Sequence, residues 1–470
     1  MNTKFERVLK TRDILAIAFG AMIGWGWVIN SGDWLMNAGL VGSIIAFLIG
    51  GVMVLFVGLV YAELTAAMPQ CGGEHVFSYR AYGATGSFVC TWSIILGYVA
   101  TAAFESAAFP TVIKYLVGDN FNFGLMYYVG ETPIYASYVV VGVLFSLLIT
   151  YINIKGIKTS AMVQKILTLI ILCAGLLLIG ASVVRGDTTN LASNLFAGSG
   201  LTEKTSLGGI LTVACMTPFL FIGFDVIPQA AEEINIAYKK IGRIMLLSIG
   251  MALLFYLAVV FAIAYILPIV EIEDSMNSGL VSADAMAKAF NSSAMGNVLI
   301  IGGMCGIVTS WNAFLLGGSR ALYSMAESRM LPVIFSKLNK NKTPVFAIIL
   351  CGIACALAPF FGKPVLIWLV DSASFGCSVA YFMVSISFLI LRKREPELER
   401  PYRLKHGTFV GIAAMITSGF LMILYVVPLS FSSSALVWQE WIVVGAWICL
   451  GVIFYAFTKI KYGSKFGEKR

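Results

Sequence analysis

Long apolar runs separated by short polar stretches occupy most of the chain from residue 13 to residue 459. A helix needs about 20 apolar residues to cross the hydrocarbon core of a bilayer. The pattern predicts twelve membrane-spanning helices, called here spans 1 to 12: 13–38, 40–68, 84–117, 135–154, 159–184, 205–232, 243–269, 296–324, 343–361, 364–391, 408–429 and 437–459. The segments between them are too short for a soluble domain, so residues 1–470 are expected to form a single polytopic membrane unit.

Spans 1 and 6 are interrupted by glycines. Span 1 contains Gly-Ala-Met-Ile-Gly-Trp-Gly at residues 20–26, and span 6 contains Pro-Phe-Leu-Phe-Ile-Gly-Phe-Asp at residues 218–225. A broken helix leaves backbone N–H and C=O groups without partners, which a membrane tolerates only where they line a cavity or are buried in protein. Corresponding breaks in two halves of a chain are the best sequence indication of a secondary transporter's substrate site. We therefore expect a ligand site where the two breaks meet.

Composition and charge support a membrane protein and add an orientation. The chain is 59% hydrophobic and 12% charged, with a mean hydropathy of +0.89, unlike a soluble domain. With the N-terminus inside, the 32 Lys and Arg residues fall on the cytoplasmic side except for Lys114, Arg185, Lys204, Lys288 and Lys363. This positive-inside pattern predicts a plasma-membrane protein with both termini in the cytoplasm. The net charge of +8 therefore belongs to the cytoplasmic face of a membrane protein and does not indicate a nucleic-acid partner.

The residue types that enzymes and metal sites require are scarce. The two histidines, His75 and His406, are both expected in cytoplasmic loops, and the nine cysteines include no CxxC pair. We interpret the cysteines as small apolar residues in a reducing compartment. Membrane metalloproteases and histidine proton relays would lack their ligands, so we expect neither enzymatic activity nor a cofactor. A channel would show a filter of repeated carbonyls or charged rings, and the sequence has none.

The two breaks are five spans apart, which bears on the architecture. An odd number of crossings reverses direction, so span 6 enters the membrane opposite to span 1. This arrangement predicts a 5+5 inverted repeat, with residues 13–184 as the first repeat and residues 205–391 as the second. Residues 408–459 then supply two appended helices. The expected fold class is an all-α integral membrane protein with broken helices in spans 1 and 6.

Further motifs occur in an order typical of one family. Residues 20–26 resemble its span 1 pattern GxxIGxG, and residues 61–74 resemble its span 2 ending YAELxxxxPxxGGxY, with His75 at the position of the last tyrosine. The opening of span 5, two segments of span 6 and one of span 8 also agree, at residues 156–161, 221–225, 231–233 and 309–320. Over residues 10–405 the chain resembles the amino acid–polyamine–organocation superfamily, in its amino acid permease branch, which has the LeuT-type fold.

The resemblance implies a secondary active transporter, a permease or exchanger, that moves an amino acid or related small amine by alternating access. The N–H groups after the span 1 break suit a carboxylate. The carbonyls that end the first halves of both broken spans suit an ammonium group or another cation. The predicted substrate-binding residues at the breaks are Ile23, Gly24, Trp25, Gly26, Phe219, Phe221, Ile222, Gly223 and Asp225. Phe219 is a candidate gate, and Asp225 is interpreted as a cap or gate more than as a direct contact. Gly20 and Gly24 also fit a plain helix-packing face.

Two departures from the family pattern keep alternatives open for the substrate. Trp25 stands where relatives have a small residue, and residues 26–34 look somewhat like the ethanolamine-permease branch. An ethanolamine or polyamine permease is therefore the alternative function. Many relatives also carry Glu in span 3 where this chain has Gly97, whereas the acid here is Glu105, eight residues further outward. A buried intramembrane acid is a functional candidate, and we expect Glu105 in the outer vestibule or at a cationic group of the substrate.

The motifs also leave the coupling ion open. Proton-coupled relatives place a lysine midway along span 5, but Ile171 occupies that position, and Lys165 is expected near the cytoplasmic interface. Thr309 and Ser310 of span 8 are candidate hydroxyl ligands for sodium, although such hydroxyls also bond to carbonyls of their own helix. A proton, a sodium ion and exchange without an ion are the three alternatives.

Overall fold

The computed structural model describes residues 5–196, 207–428 and 435–469, so Lys204 and the first two residues of span 6 lie outside the described residues. Helices make up most of the described chain. In chain order they are α1 (Thr11–Met22), α2 (Gly26–Ala67), α3 (Glu74–Val117), α4 (Ala136–Lys155), α5 (Ile157–Arg185), α6 (Thr188–Asn194), α7 (Leu207–Leu220), α8 (Val226–Gln229), α9 (Tyr238–Ile266), α10 (Ile269–Ser278), α11 (Val281–Phe290), α12 (Ser293–Glu327), α13 (Val345–Leu357), α14 (Lys363–Arg394), α15 (Gly407–Val426) and α16 (Trp438–Tyr462). A short antiparallel hairpin, β1 (Leu125–Val129) with β2 (Thr132–Tyr135), precedes α4.

Most of these helices have the length and apolarity of membrane spans. Among the described residues nine helices can cross a bilayer by these two measures, namely α2, α3, α4, α5, α9, α12, α14, α15 and α16. Two shorter apolar helices cover Leu207–Leu220 and Val345–Phe361. The expected all-α, multi-pass membrane protein is confirmed, while the count of twelve crossings stays a prediction.

The structure interrupts both glycine-containing spans at the expected places. In span 1, α1 ends at Met22 and α2 begins at Gly26. In span 6, α7 ends at Leu220, and the single-turn helix α8 begins at Val226. Helix ends are therefore located inside the bundle, where their N–H and C=O groups are available for binding.

Two other glycines divide the longest helices. At Gly39, where φ is 64°, and at Gly83, where φ is 75°, the backbone is not helical, so α2 and α3 each consist of two helices that meet at a kink. A positive φ is readily adopted by glycine, which allows these sharp bends. The predicted boundary between spans 1 and 2 therefore coincides with Gly39, and the predicted start of span 3 with Gly83, although helix also precedes Gly83 from Glu74 onward.

His75 is consequently not in a loop, and that expectation was wrong. It lies buried in the first turn of α3, with its ring nitrogens 3.0 Å from the Ser87 Oγ and 2.9 Å from the Ser328 Oγ. The imidazole is thereby satisfied by hydroxyl groups. The described residues contain no cluster of three or more His, Cys, Asp or Glu side chains that would hold a metal. His406 immediately precedes α15 and is exposed.

The segment between spans 7 and 8 is also more ordered than a loop. Helices α10 and α11 fold back over the start of α2, where the Ser282 hydroxyl donates to the Val28 carbonyl at 2.8 Å. A Cβ on Gly32 would lie 2.6 Å from Val281 and 2.8 Å from Met276. This close packing places the two helices directly over the outer half of the broken span 1.

Candidate substrate-binding site

The two helix breaks touch each other. A Cβ on Gly223 would lie 2.6 Å from the Ala21 Cβ and 3.1 Å from the Met22 nitrogen, so the span 6 break lies against the end of α1. A Cβ on Gly26 would lie 2.7 Å from Leu220, so the start of α2 lies against the end of α7. Gly223 has a φ of 138°, which L side chains rarely adopt. The glycines are required both by this conformation and by the close approach of the two breaks.

A tyrosine that sequence reasoning missed joins the ends of α1 and α7. The Tyr256 hydroxyl lies 2.5 Å from the Met22 carbonyl oxygen and 3.0 Å from the Leu220 carbonyl oxygen. These carbonyls end the first halves of the two broken spans, and the tyrosine itself is only 1% exposed. Tyr256 sits in the apolar helix α9 with no motif around it, so only the three-dimensional arrangement identifies its role.

Asp225 closes the span 6 break from within. Its Oδ1 accepts the Gly223 N–H at 2.8 Å, and the Tyr98 hydroxyl lies 3.0 Å from its backbone carbonyl and 3.1 Å from its Oδ2. The carboxylate therefore stabilises the turn between α7 and α8 and ties it to α3. Asp225 is the N-cap residue of α8, but its side chain accepts from the preceding Gly223 and makes no capping hydrogen bond to α8, so the expected cap is replaced by a brace of the turn.

The other predicted residues of span 6 face different neighbours. Phe219 and Ile222 line a cavity of about 10 Å³ whose opposite wall is formed by α14 and α15. Phe221 is fully buried and packs edge-on against Tyr256, with ring centroids 5.7 Å apart. Phe219 and Ile222 are thus adjacent to open space, whereas Phe221 supports the hydroxyl that joins the breaks.

In span 1, Trp25 and Ile23 are turned into the packed interior. The Trp25 ring lies against α12 at Gly303, where a Cβ would overlap the ring. Ile23 is completely buried, and its N–H donates to the Phe19 carbonyl at 3.0 Å as the last bond of α1. The Trp25 side chain therefore packs between helices, and its backbone is the part that belongs to the break.

Glu105 also lies at the break. Its Oε1 accepts a hydrogen bond from the Ser310 hydroxyl, and a Cβ on Gly24 would lie 3.1 Å from the Ser310 Oγ and 3.6 Å from the Glu105 Oε1. The expectation that Glu105 lines an outer vestibule was wrong. The eight residues between Gly97 and Glu105 did not determine how far Glu105 lies from the span 1 break. Helix α3 passes close to the break where Glu105 meets Ser310.

The span 8 hydroxyls are engaged with the protein itself. Thr309 Oγ1 lies 2.8 Å from the Gly20 carbonyl and 2.9 Å from the Gly306 carbonyl of its own helix. Ser310 Oγ lies 3.1 Å from the Gly306 carbonyl in addition to its bond to Glu105. The intrahelical alternative is therefore observed, together with one contact from Thr309 to the end of α1.

In span 5, Ile171 lies beside the helix break and Lys165 lies away from it, as the sequence predicted. Ile171 is fully buried beside Gly306 and the break in span 1. Lys165 instead pairs with Asp13 at the start of α1, with Nζ and Oδ1 2.7 Å apart, and its side chain is 44% exposed. No lysine of α5 thus reaches the helix break.

The site is closed on both sides. On the side of the N-terminal segment, the fully buried Arg320 pairs with Glu233 at 2.9 Å, and Val8 and Leu9 donate their N–H groups to the Glu233 carbonyl. On the opposite side, α10 and α11 cover the start of α2. The cavity beside Phe219 holds about one water molecule, so this is an occluded conformation that must open to admit a larger ligand.

A multi-pass helical membrane protein in which two broken helices meet inside the bundle, closed to both sides, is by class a secondary transporter. The chain belongs to the amino acid permease family, whose model matches residues 9–454. It is therefore a permease and not an enzyme.

Three relatives match this chain over nearly its whole length. It is 24% identical to the branched-chain amino acid permease BcaP of Bacillus subtilis, over 96% of this chain and 92% of the relative. It is 26% identical to the lysine-specific permease LysP of Lactococcus lactis, over 99% of this chain and 92% of the relative. It is 24% identical to the methylthioribose transporter of Bacillus subtilis, over 97% of this chain and 94% of the relative.

Proposed function

We propose that this protein transports a free amino acid, held as a zwitterion between the two helix breaks. The direct contact between the breaks carries this proposal, because it brings two complementary groups together. The first N–H groups of α2, those of Gly26 and Trp27, have no backbone acceptor in the described structure and suit a carboxylate, whereas those of Val28 and Ile29 bond to the Trp25 carbonyl. The carbonyls of Met22 and Leu220, now gathered by Tyr256, suit an ammonium group. One small molecule with both charges satisfies both sets.

The remaining predicted residues have distinct parts in this proposal. Gly24, Gly26 and Gly223 provide the backbone shape, and Ile23 and Trp25 contribute backbone groups. Asp225 holds the turn of the span 6 break through Gly223 and Tyr98. Phe221 supports Tyr256, and Phe219 with Ile222 gates the space beside the break. Two of the three relatives' names give branched-chain amino acids and lysine as substrates, which fits a site that binds the common amino acid backbone. The third names methylthioribose, which has neither a carboxylate nor an ammonium group. Those names give no support to an ethanolamine or polyamine substrate.

The membrane arrangement is part of the same proposal. We place the protein in the plasma membrane with both termini in the cytoplasm, on the basis of the distribution of Lys and Arg. We assign residues 13–184 and 205–391 to two inverted repeats, because each begins with a broken helix. Residues 408–459 add the two terminal spans.

The test is counterflow in liposomes that contain the purified protein. Vesicles loaded with unlabelled L-leucine, L-lysine or L-histidine are diluted into the same labelled amino acid. The wild type should take up at least one label transiently and saturably, because exchange by a carrier needs no ion gradient. Gly26→Val should abolish counterflow, since a Cβ there already meets Leu220.

The matched control is Gly180→Val, because a Cβ on Gly180 of α5 meets no atom within 4 Å. This variant should exchange at the wild-type rate. Unsaturable flux through the wild type would indicate a channel. Normal counterflow by monodisperse Gly26→Val protein would show that the helix break is not part of the substrate site.

A further inference from the structure

An isolated carboxylate is buried beside the helix break. Glu105 is 4% exposed, and Ser310, its hydrogen-bond donor, is 2% exposed. In the described part of the chain no group lies within hydrogen-bond distance of the second oxygen, Oε2. The carboxyl group therefore has one donor for its two oxygens, at the point where α1 gives way to α2.

No cation among the described residues forms an ion pair with Glu105. The titratable side chains on the elements packed around this part of α3 include Asp33 of α2, Tyr138 of α4, Cys305 and Arg320 of α12, Cys355 of α13 and Asp371 of α14. Across the described residues none of them forms an ion pair or a hydrogen bond with Glu105. Arg320 lies ten residues after Ser310 in α12, which is about 15 Å along the helix axis. Arg320 is also already paired with Glu233.

The occluded conformation therefore favours the neutral acid. An unpaired buried carboxylate is costly and neutralises by taking up a proton. Protonated on Oε1, the carboxyl group can donate to the Ser310 hydroxyl, whose own hydrogen then goes to the Gly306 carbonyl 3.1 Å away. When the break opens to water, solvation favours the charged form again. The protonation of Glu105 is thus linked to the opening and closing of the site.

We propose that Glu105 is the proton-binding residue that couples this transporter to the proton gradient. The proposal rests on the proposed function, and it assigns the coupling role to α3 because Ile171 of α5 has no titratable group. With the outer side open, the Glu105 carboxylate binds one proton from outside, and closure over the substrate retains it. With the inner side open, the same O–H bond breaks, and the proton leaves to the cytoplasm with the substrate. One proton is bound and one is released in each cycle.

The first experiment measures the proton directly and needs no substrate. Infrared difference spectra of the purified protein in lipid are recorded while the pH is varied. The wild type should show a titrating C=O band of a protonated carboxyl group that is absent in Glu105→Gln and present in Asp33→Asn. Ser310→Ala should shift the frequency of this band, because the C=O stretch of Glu105 depends on its hydrogen bond with the Ser310 hydroxyl group. A wild-type spectrum that Glu105→Gln leaves unchanged would overturn the proposal.

The second experiment measures coupling, with whichever of L-leucine, L-lysine and L-histidine the wild type exchanges. A gradient of one pH unit should drive about tenfold accumulation by the wild type, because one proton accompanies each substrate. Glu105→Gln should retain counterflow and lose accumulation, while Asp33→Asn should retain both. Glu105→Asp, which keeps a carboxyl group, should still accumulate.

The outcomes separate the two proposals. If the wild type shows no counterflow with any amino acid, the proposed function fails, while the infrared titration still decides whether Glu105 binds a proton. If Glu105→Gln still accumulates on a pH gradient, or if only a sodium gradient drives the wild type, the coupling role of Glu105 is wrong. Loss of counterflow by folded Glu105→Gln would make Glu105 a substrate contact, which also contradicts the coupling role.

Discussion

One side-chain hydroxyl group, that of Tyr256, connects the two helix breaks. Met22 and Leu220 end their helices inside the bundle, so their carbonyls lack the next turn's N–H groups as partners. The Tyr256 hydroxyl reaches both of these carbonyls. It has one hydrogen to donate, so a second donor such as a substrate ammonium group can bind to the other carbonyl. The residue thereby links the stability of the breaks to the binding of ligand.

Removing that hydroxyl should weaken binding more than it weakens the fold. In Tyr256→Phe the ring and its packing remain, but a buried carbonyl loses its donor, which costs about 1–3 kcal/mol. We expect a lower melting temperature in detergent and a clear loss of amino acid affinity, both measured on the purified protein.

The matched control is Tyr82→Phe, since Tyr82 donates to the Met383 carbonyl at 2.9 Å away from the breaks. It should leave amino acid affinity unchanged. Equal effects of both substitutions on affinity would show that Tyr256 has no special part in the site.

At the scale of helices, one buried acid ties α2 to the end of α14 and the segment that follows it. Glu63 of α2 is 1% exposed and accepts two hydrogen bonds from Arg392, at 3.0 and 2.6 Å. Arg400 lies 3.1 Å from the same carboxylate, and the Leu404 N–H donates to it at 2.7 Å. The carboxylate thus fixes residues 392–404 against the inner end of α2.

Neutralising this acid should destabilise the protein strongly. Glu63→Gln leaves the nearly buried Arg400 guanidinium without its charge partner, and breaking such a buried pair costs roughly 3–5 kcal/mol. Glu395→Gln is the control, because its pair with Arg80 is partly exposed at 31% and 43%, and such pairs contribute about 0–1 kcal/mol. Thermal unfolding should show a large downward shift for the first variant and little change for the second. Similar shifts would contradict a structural role specific to Glu63.

The elements were predictable where a local rule decides them. Apolar length located the helices, and the glycine-rich stretches located both breaks. The helix interruptions at Gly39 and Gly83 were located in the same way, but the helical turns from Glu74 to Gly83 were not, because this stretch is polar enough to be compatible with a loop. Helices α10 and α11 have too few apolar residues to register as spans, and they are amphipathic helices that pack over α2.

The candidate site was only partly predictable for a different reason. The glycines that shape it have a local signature, and Asp225 follows one of them directly. Glu105 and Tyr256 reach the site from α3 and α9, so their positions depend on helix tilt and packing. No sequence spacing predicts the contact between Glu105 and Ser310 or the contact between Tyr256 and Met22.

For the whole molecule, the two closures differ in kind. The closure beside the N-terminal segment, which we propose is the inner one, uses charge and backbone pairing, with the buried pair of Arg320 and Glu233 beside the bridge between Leu9 and Ile234. The opposite closure is made by α10 and α11 over α2, where Val281 and Met276 approach Gly32. Alternating access requires each closure to open in turn while the other stays intact.

The orientation of these closures predicts which surfaces reagents can reach. On intact cells, an impermeant thiol reagent should label Asn277→Cys in α10 and should fail to label Ser464→Cys after α16. Both positions are exposed, and labelling of the unsubstituted chain, with its nine cysteines, is subtracted as background. After the cells are permeabilised, Ser464→Cys should become reactive. The reverse pattern would overturn the cytoplasmic placement of the termini.

The central claim is that the two breaks bind the carboxylate and the ammonium group of one amino acid. The most direct measurement compares binding of an amino acid with binding of the amine formed by removing its carboxylate, side by side on the purified protein. L-lysine with cadaverine, L-histidine with histamine and L-leucine with isoamylamine provide three such pairs. We expect at least one of the amino acids to bind and its amine to bind far more weakly, because the N–H groups of Gly26 and Trp27 would lose their ligand. Equal or tighter binding of the amine would contradict the carboxylate site and restore the amine-permease alternative.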